Sequence, residues 1–403
     1  MSRPVPIEPG KTYMLTRRCA GRHRWLTPGS KLNNLFWYLF AVGAQQFGLQ
    51  VHALVVMSTH YHAIVTDPRG KIPAFEQWLH SLLARAVNQL RKRTDTFWGG
   101  RQGGRQVIAD ALALRDALVY VWNNPTKAGL VRRGKSWPGV RTTPHEMLAS
   151  MGDHKVKVIE RPKGFFDQAG GMPETAELAL SMPAMLLEQH ELWLPTGDEG
   201  ADEGASGGAS GRPAENDATA QASGSGEPPE PDGGSRPDRD AEPSAGREGH
   251  DEPGAEPDAA TKKLAGRIVA KLKDLVRQAE DKAAEALRAA GRHFVGAQSV
   301  KRQSPNVTSK TPEKHGAKCV RVPIFLTSSK EMRAELLAKL HDWRARYDAA
   351  RKALRVHLRR KASDEAPDLG LLEDQEEPKP PLFPWGTYLL PLRLGVACQP
   401  PPS

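Results

Sequence analysis

Met57-Ser58-Thr59-His60-Tyr61-His62-Ala63-Ile64-Val65 sets two histidines two residues apart beside an apolar run. In an extended strand successive side chains point to opposite faces, so His60 and His62 share one face while Tyr61 and Ala63 take the other. Two imidazoles on one face can hold one metal ion. The residues just before, Gln50-Val51-His52-Ala53-Leu54-Val55-Val56, are apolar and β-branched and read as a second strand, which predicts a tight hairpin at Met57 to Thr59. An HxH pair by itself more often marks a solvated sheet face than a metal site, so its meaning depends on the chain around it.

Upstream of the hairpin, Thr12 to Arg18 reads as a strand with basic residues at its exit. Thr27-Pro28 predicts a helix start, with Thr as N-cap and Pro at the first helical position. Leu32, Leu35, Phe36, Leu39, Phe40 and Phe47 then recur at helical spacing until Gly48 stops them. Downstream, Ile72 to Arg93 predicts a helix with Phe75, Leu79, Leu82, Ala86 and Leu90 on its apolar stripe. A Gly/Arg-rich loop leads into a short strand at Gln106 to Ala109, and a last helix runs from Asp110 to Asn124, ended by Pro125. This order predicts an α+β domain: a ferredoxin-like antiparallel sheet (βαββαβ) with helices on one face and the histidine face left open.

Charge divides the chain. Residues 1–150 hold 21 Lys and Arg against 7 Asp and Glu, a net of +14, whereas the remaining residues hold 36 against 40. A domain this basic attracts polyanions, nucleic acid ahead of membrane, because no lipidation motif or amphipathic anchor accompanies the charge. Cys19, Cys319 and Cys398 are far apart and form no zinc spacing, and Leu35 to Ala44 is far short of the roughly 20 residues of a membrane span. A reduced, cytoplasmic protein with no membrane association is the expectation.

The last helix of the basic domain carries one more unusual residue. At 100° per residue Leu114, Leu118 and Val121 form its apolar stripe, with Tyr120 about 120° from the stripe's centre and Asn124 one turn beyond Tyr120. Met57-Ser-Thr-His-Tyr-His62 and Tyr120-x-x-x-Asn124-Pro-x-x-Ala-Gly-Leu-Val131 resemble the HUH single-tyrosine transposases, specifically the REP-associated tyrosine transposase branch. The resemblance spans about residues 10 to 145 and includes Gly10-Lys-Thr-Tyr-Met-Leu-Thr-Arg-Arg.

It implies a DNA transposase in which His60 and His62 bind a divalent ion, Mg²⁺ or Mn²⁺, Tyr120 is the nucleophile, and Asn124 is the third ligand at a position that varies in the family. The implied reaction cleaves and rejoins single-stranded, hairpin DNA through a 5′-phosphotyrosine intermediate with a free 3′-OH. A phenol titrates near 10, so a phenolate at pH 7 costs about 4 kcal/mol, which a metal beside the phosphate helps to offset. Arg17, Arg18, Arg101, Arg105 and Lys127 are candidate phosphate contacts. Trp98 and Trp122 are candidate base platforms, although core positions suit both better.

Three other readings compete. A non-catalytic RNA-binding domain shares the element order, but neither central strand carries its Gly-Phe-aromatic signature. An inactive or domesticated hairpin-DNA-binding regulator, and an HUH replication initiator or relaxase, fit the same residues. The residues leave monomer and homodimer equally open.

The catalytic domain is expected at 1–145, an ordered extension at 146–195, a disordered acidic linker at 196–260 and a helical accessory region at 261–403. The linker is rich in Gly, Ser, Pro and Ala and holds 17 acids against 4 bases. In the last region Leu264, Ile268, Leu272, Leu275, Ala279 and Leu287 line one helix. A second helix opens on a capping box, Ser328 to Glu331, and carries Met332, Leu336, Leu340, Trp343, Tyr347 and Leu354, so the two stripes predict a helix pair.

Overall fold

A computed structural model of the chain describes residues 5–99, 104–152, 154–166, 172–194, 257–309, 323–364 and Phe383. The acidic stretch expected as a linker lies, up to residue 256, outside the described residues, as does Arg101. The first elements are β1 (Lys11–Arg18), α1 (Ser30–Phe47), β2 (Gln50–Met57), β3 (His60–Asp67), α2 (Ile72–Leu90), β4 (Gly104–Ile108) and α3 (Ala111–Lys127). They give a mixed α+β fold whose sheet runs β2-β3-β1-β4 with every one of these neighbours antiparallel. Met57 pairs with His60 across the β2–β3 turn, so the hairpin falls where the sequence places it.

Side-chain alternation divides the sheet into two faces. On one, Tyr61 meets Phe36 of α1 edge-on at 5.5 Å and shares a 2.7 Å hydrogen bond with His80 of α2. Gly43 lets those two helices approach, since a Cβ there would lie 2.8 Å from the Phe75 ring and 2.9 Å from Trp78.

The other face is not open. The tyrosine helix α3 lies against it, with the His62 and Tyr120 rings in contact, which corrects the expectation of helices on one face only. Leu114, Leu118 and Val121 are fully buried; a stripe of that kind has to be covered, and the second face of the sheet supplies Val55 and Ile64, themselves fully buried.

Two helix ends also differ from the sequence reading. The first helix begins at Ser30 with Gly29 as its cap, because the Thr27 hydroxyl donates to the Arg24 carbonyl instead of capping. Pro125 lies inside α3. A proline removes one N–H and need not end a helix already in its last turn; the Ala128 N–H still donates to the Asn124 carbonyl at 3.0 Å.

Beyond α3 come β5 (Lys157–Glu160), β6 (Thr175–Leu178) and the short α4 (Ala184–Glu188), then α5 (Ala259–Ala289), α6 (Ala297–Lys301), β7 (Phe325–Leu326) and α7 (Lys330–Asp364). Both edges of the main sheet are covered by later chain, which removes its unpaired backbone groups from solvent. Residues 140–142 bond to Leu54 and Val56 of β2, and β7 adds to β4 in parallel. That strand was not foreseen in a region read as helical.

The two long C-terminal helices do not form the expected pair. Instead α5 packs on α3, and its Ala265, Ile268, Val269, Leu272 and Val276 enter the same apolar core as the sheet. Glu280 is buried in line with them, accepting the Gly134 N–H at 2.7 Å and pairing with Arg133 at 3.3 Å. The expected capping box is also displaced: Ser329 Oγ accepts the Met332 N–H, while the Ser328 N–H donates to Asp110, the N-cap of α3. Leu272 is fully buried, so Leu272→Ala is expected to destabilise the chain by about 3 kcal/mol in chemical denaturation. An unchanged midpoint would mean that α5 is not packed on this core.

Candidate active site

The register of β1 against β3 builds the site. Arg18 lies opposite His60 and Thr16 opposite His62, so Thr16, Arg18, His60 and His62 face the same way. Thr16 Oγ1 and His62 Nδ1 share a 2.7 Å hydrogen bond, and Thr59 Oγ1 and His60 Nδ1 share one of 2.8 Å. The two rings stand perpendicular with centroids 4.9 Å apart. His62 Nε2 is buried with no hydrogen-bond partner among the described residues. A buried ring nitrogen whose opposite nitrogen is fixed by a hydroxyl suits a metal ligand and costs stability when left unmet.

Burial is the main reason that both imidazoles resist protonation. His62 is lowered to about 4 by burial and then by Arg18, and His60 falls well below its usual value through burial, His62 and Arg18 in that order. Both are therefore neutral at pH 7, the form that ligates. Among the described residues no three or more of His, Cys, Asp and Glu gather to hold an ion. An ion on this histidine pair would need a neutral oxygen or a phosphate to complete its shell.

Helix α3 brings in the remaining groups. The Tyr120 ring is half-buried and lies 5.4 Å from the His62 ring. Lys127 Nζ is 5.0 Å from the Tyr120 ring centroid, and Asn124 is buried one turn past Tyr120. In that same last turn Asn123 Oδ1 and Thr126 Oγ1 are buried without partners among the described residues.

Of the expected phosphate contacts, Arg18 and Lys127 come to the site. Arg17 and Arg105 do not: alternation turns both to the far face, where Arg17 lies 6.0 Å over the Trp98 ring and Arg105 pairs with Glu76 at 2.6 Å. Trp98 and Trp122 are core residues, their indole N–H groups donating to the His80 carbonyl and to Thr142 Oγ1. Thr16 and Thr59 were missed by the sequence reading. Thr59 stands next to His60 in the chain, whereas Thr16 becomes visible only once the β1–β3 register is known.

A third histidine reports on the fold. His52 is fully buried between the Ser181 carbonyl and Thr66 Oγ1, each at 2.8 Å, and burial lowers it from 6.5 to about 4. The unfolded chain takes up that proton first as pH falls. Stability is thus full above about pH 6.5 and declines toward pH 4, with His52 alone accounting for on the order of 3 kcal/mol. Urea unfolding midpoints should fall accordingly between pH 7 and pH 4.5; a flat profile would contradict the buried, neutral His52.

No family model matches the chain, and no curated protein matches it. Among solved structures, a REP-associated tyrosine transposase bound to a REP hairpin aligns with a TM-score of 0.30 and 20% identity, covering 34% of this chain and 80% of that one. A candidate transposase from Deinococcus radiodurans R1 aligns with a TM-score of 0.22 and 18% identity, covering 29% of this chain and 93% of that one.

Proposed function

We propose that the protein is a single-tyrosine DNA transposase of HUH type, close to the REP-associated branch, that cleaves and rejoins single-stranded hairpin DNA. Residues 1–145 form its catalytic domain, of ferredoxin-like plan. The observation that carries this reading is the Tyr120 phenol beside a threonine-anchored His62 whose free nitrogen is buried and unmet.

Each residue has a task. Arg18 and Lys127 place positive charge around Tyr120, where a phosphodiester would lie, and lower the cost of bringing its charge to a phenol. Thr16 and Thr59 hold the two imidazoles in one tautomer and orientation. A divalent ion, Mg²⁺ or Mn²⁺, held by His60, His62 and Asn124 would polarise the scissile phosphate. The Tyr120 hydroxyl gives up its proton as its oxygen forms the new P–O bond, the P–O bond to the 3′-oxygen breaks, and that oxygen takes up a proton to leave as 3′-OH; reversal of the step rejoins the strand. Because one phosphodiester replaces another, no ATP is needed.

The polarity of the adduct tests the reading. A hairpin oligonucleotide labelled at its 3′ end should become attached to the protein through denaturing electrophoresis, while a 5′ label should leave on a fragment ending in 3′-OH. Attachment of the 5′-labelled fragment would refute the mechanism.

A further inference from the structure

Residues 292–309 run between two anchor points, one just after the end of α3 and the other in the loop that follows β1. At one, the Val295 and Gly296 N–H groups donate to the carbonyls of Gly129 and Leu130 at 3.0 and 2.9 Å, directly after α3 and Lys127. Gly129 has φ of +72°, and a Cβ there would lie 3.3 Å from Leu287 of α5, so this junction is closely fitted. At the other anchor the Arg24 N–H donates to the Val307 carbonyl at 3.2 Å and the Ser309 N–H donates to the Arg22 carbonyl at 3.0 Å, with His23 bridged to Thr308. That loop follows straight on from Arg18. Midway, Val300 of α6 is fully buried in the main core. The strap is therefore built into the domain, and it runs from the end of α3, whose last residue is Lys127, to the loop that follows β1, whose last residue is Arg18.

Its charge matches its position. Arg292, Lys301 and Arg302 are exposed on the strap, as are Arg18, Arg22 and Lys127 beside it. None of these six forms an ion pair among the described residues. Elsewhere the surface mixes its signs: Arg93 has Asp95, Arg115 has Asp116 and Arg133 has Asp281 within ion-pair distance. Like charges gathered without acids oppose folding and favour a polyanion.

We propose that the strap of residues 292–309 forms, together with Arg18, Arg22 and Lys127, a phosphate-binding face along which a single DNA strand runs past Tyr120. The partner is a single strand because the phosphate has to reach a half-buried phenol. A flexible strand follows such a path, whereas a duplex with a persistence length of about 50 nm does not bend into it. The proposal rests on reading the histidine–tyrosine site as a DNA site. It adds a region lying outside the residues that carry the family resemblance.

The test measures binding by the full chain, so that it does not depend on cleavage. Arg292→Gln, Lys301→Gln and Arg302→Gln combined should reduce the slope of log affinity against log salt for single-stranded DNA by about 2. At 0.1 M salt that weakens binding roughly 100-fold, since each single-strand contact contributes about 0.7 to the slope. A control neutralises three exposed cations of α7, Arg333, Lys352 and Arg355, and should leave the slope within a few tenths. Thermal melts of both variants should match that of the parent chain. An unchanged slope in the strap variant, an equal loss in the control, an equal loss for duplex DNA, or no single-strand affinity in the parent chain would each overturn the proposal. If the parent binds single strands with the expected slope but forms no covalent adduct, the strap stands and the transposase reading falls.

Discussion

Tyr120→Phe is expected to abolish covalent adduct formation while leaving DNA binding and fold in place. The substitution removes one oxygen and keeps a half-buried ring against His62, so stability should change by about 1 kcal/mol or less. On the proposed reading, binding would draw on phosphate contacts spread over a basic surface, none of which the variant touches. The other described tyrosines are poor substitutes. Burial pushes Tyr13 up to about 12 and its hydroxyl donates to the Glu8 carbonyl. Tyr38 donates to the Pro173 carbonyl and is raised by burial. Tyr61 is raised well above the usual range by burial and then by Glu76, with its hydroxyl on His80. Tyr347 stacks on Trp343 of α7. Labelled hairpin DNA, metal and denaturing electrophoresis measure the adduct, and peptide mapping locates it. An adduct on Tyr13, Tyr38, Tyr61 or Tyr347, or one that persists in Tyr120→Phe, would displace Tyr120. Absence of any adduct in the parent chain would favour an inactive, DNA-binding protein.

The local parts of this site were legible because they depend on short-range geometry. Period-two alternation places His60 and His62 together, and period 3.6 sets Tyr120 off the apolar stripe and Asn124 one turn on. The strand–helix order of residues 11–127 follows from the same patterns. What was not legible involves pairing over distance. A stripe on α3 says that one side must be covered, but both sheet faces are apolar enough to cover it, so the sequence left the second face wrongly open. Arg17 and Arg18 are neighbours of equal charge, and only the β1–β3 register sends Arg18 to the site and Arg17 to Trp98.

The same difficulty hid α5. Its apolar face announces a partner without naming it, and more than a hundred residues separate it from α3. Glu280 also misleads, since a carboxylate on a buried stripe is unexpected until Gly134 and Arg133 are found opposite it. A core assembled from segments this far apart in sequence makes the C-terminal region part of the framework that fixes Tyr120. It also explains why the strap can be anchored at both of its ends.

His62→Ala should remove metal-dependent cleavage, and the orienting hydroxyl offers a way to separate loss of a ligand from loss of fold. His62 is 5% exposed, so truncation leaves a cavity and an unmet Thr16 hydroxyl, and some destabilisation accompanies the variant. If the ion supplies about 4 kcal/mol of charge stabilisation at the transition state, cleavage should fall roughly 1,000-fold. Mn²⁺ affinity, followed by electron paramagnetic resonance without DNA, should fall with it. Thr16→Val preserves shape and leaves both imidazoles in place, but removes the 2.7 Å hydrogen bond to His62 Nδ1. It should weaken Mn²⁺ binding by about 10- to 100-fold, with single-strand DNA affinity retained. A buried imidazole freed of its hydroxyl can turn, and turning moves the one nitrogen that faces the site. Unaltered Mn²⁺ affinity in His62→Ala would exclude the histidine pair as the metal site. Unaltered affinity in Thr16→Val alone would confine the assignment to the ligands and deny the threonine its orienting part.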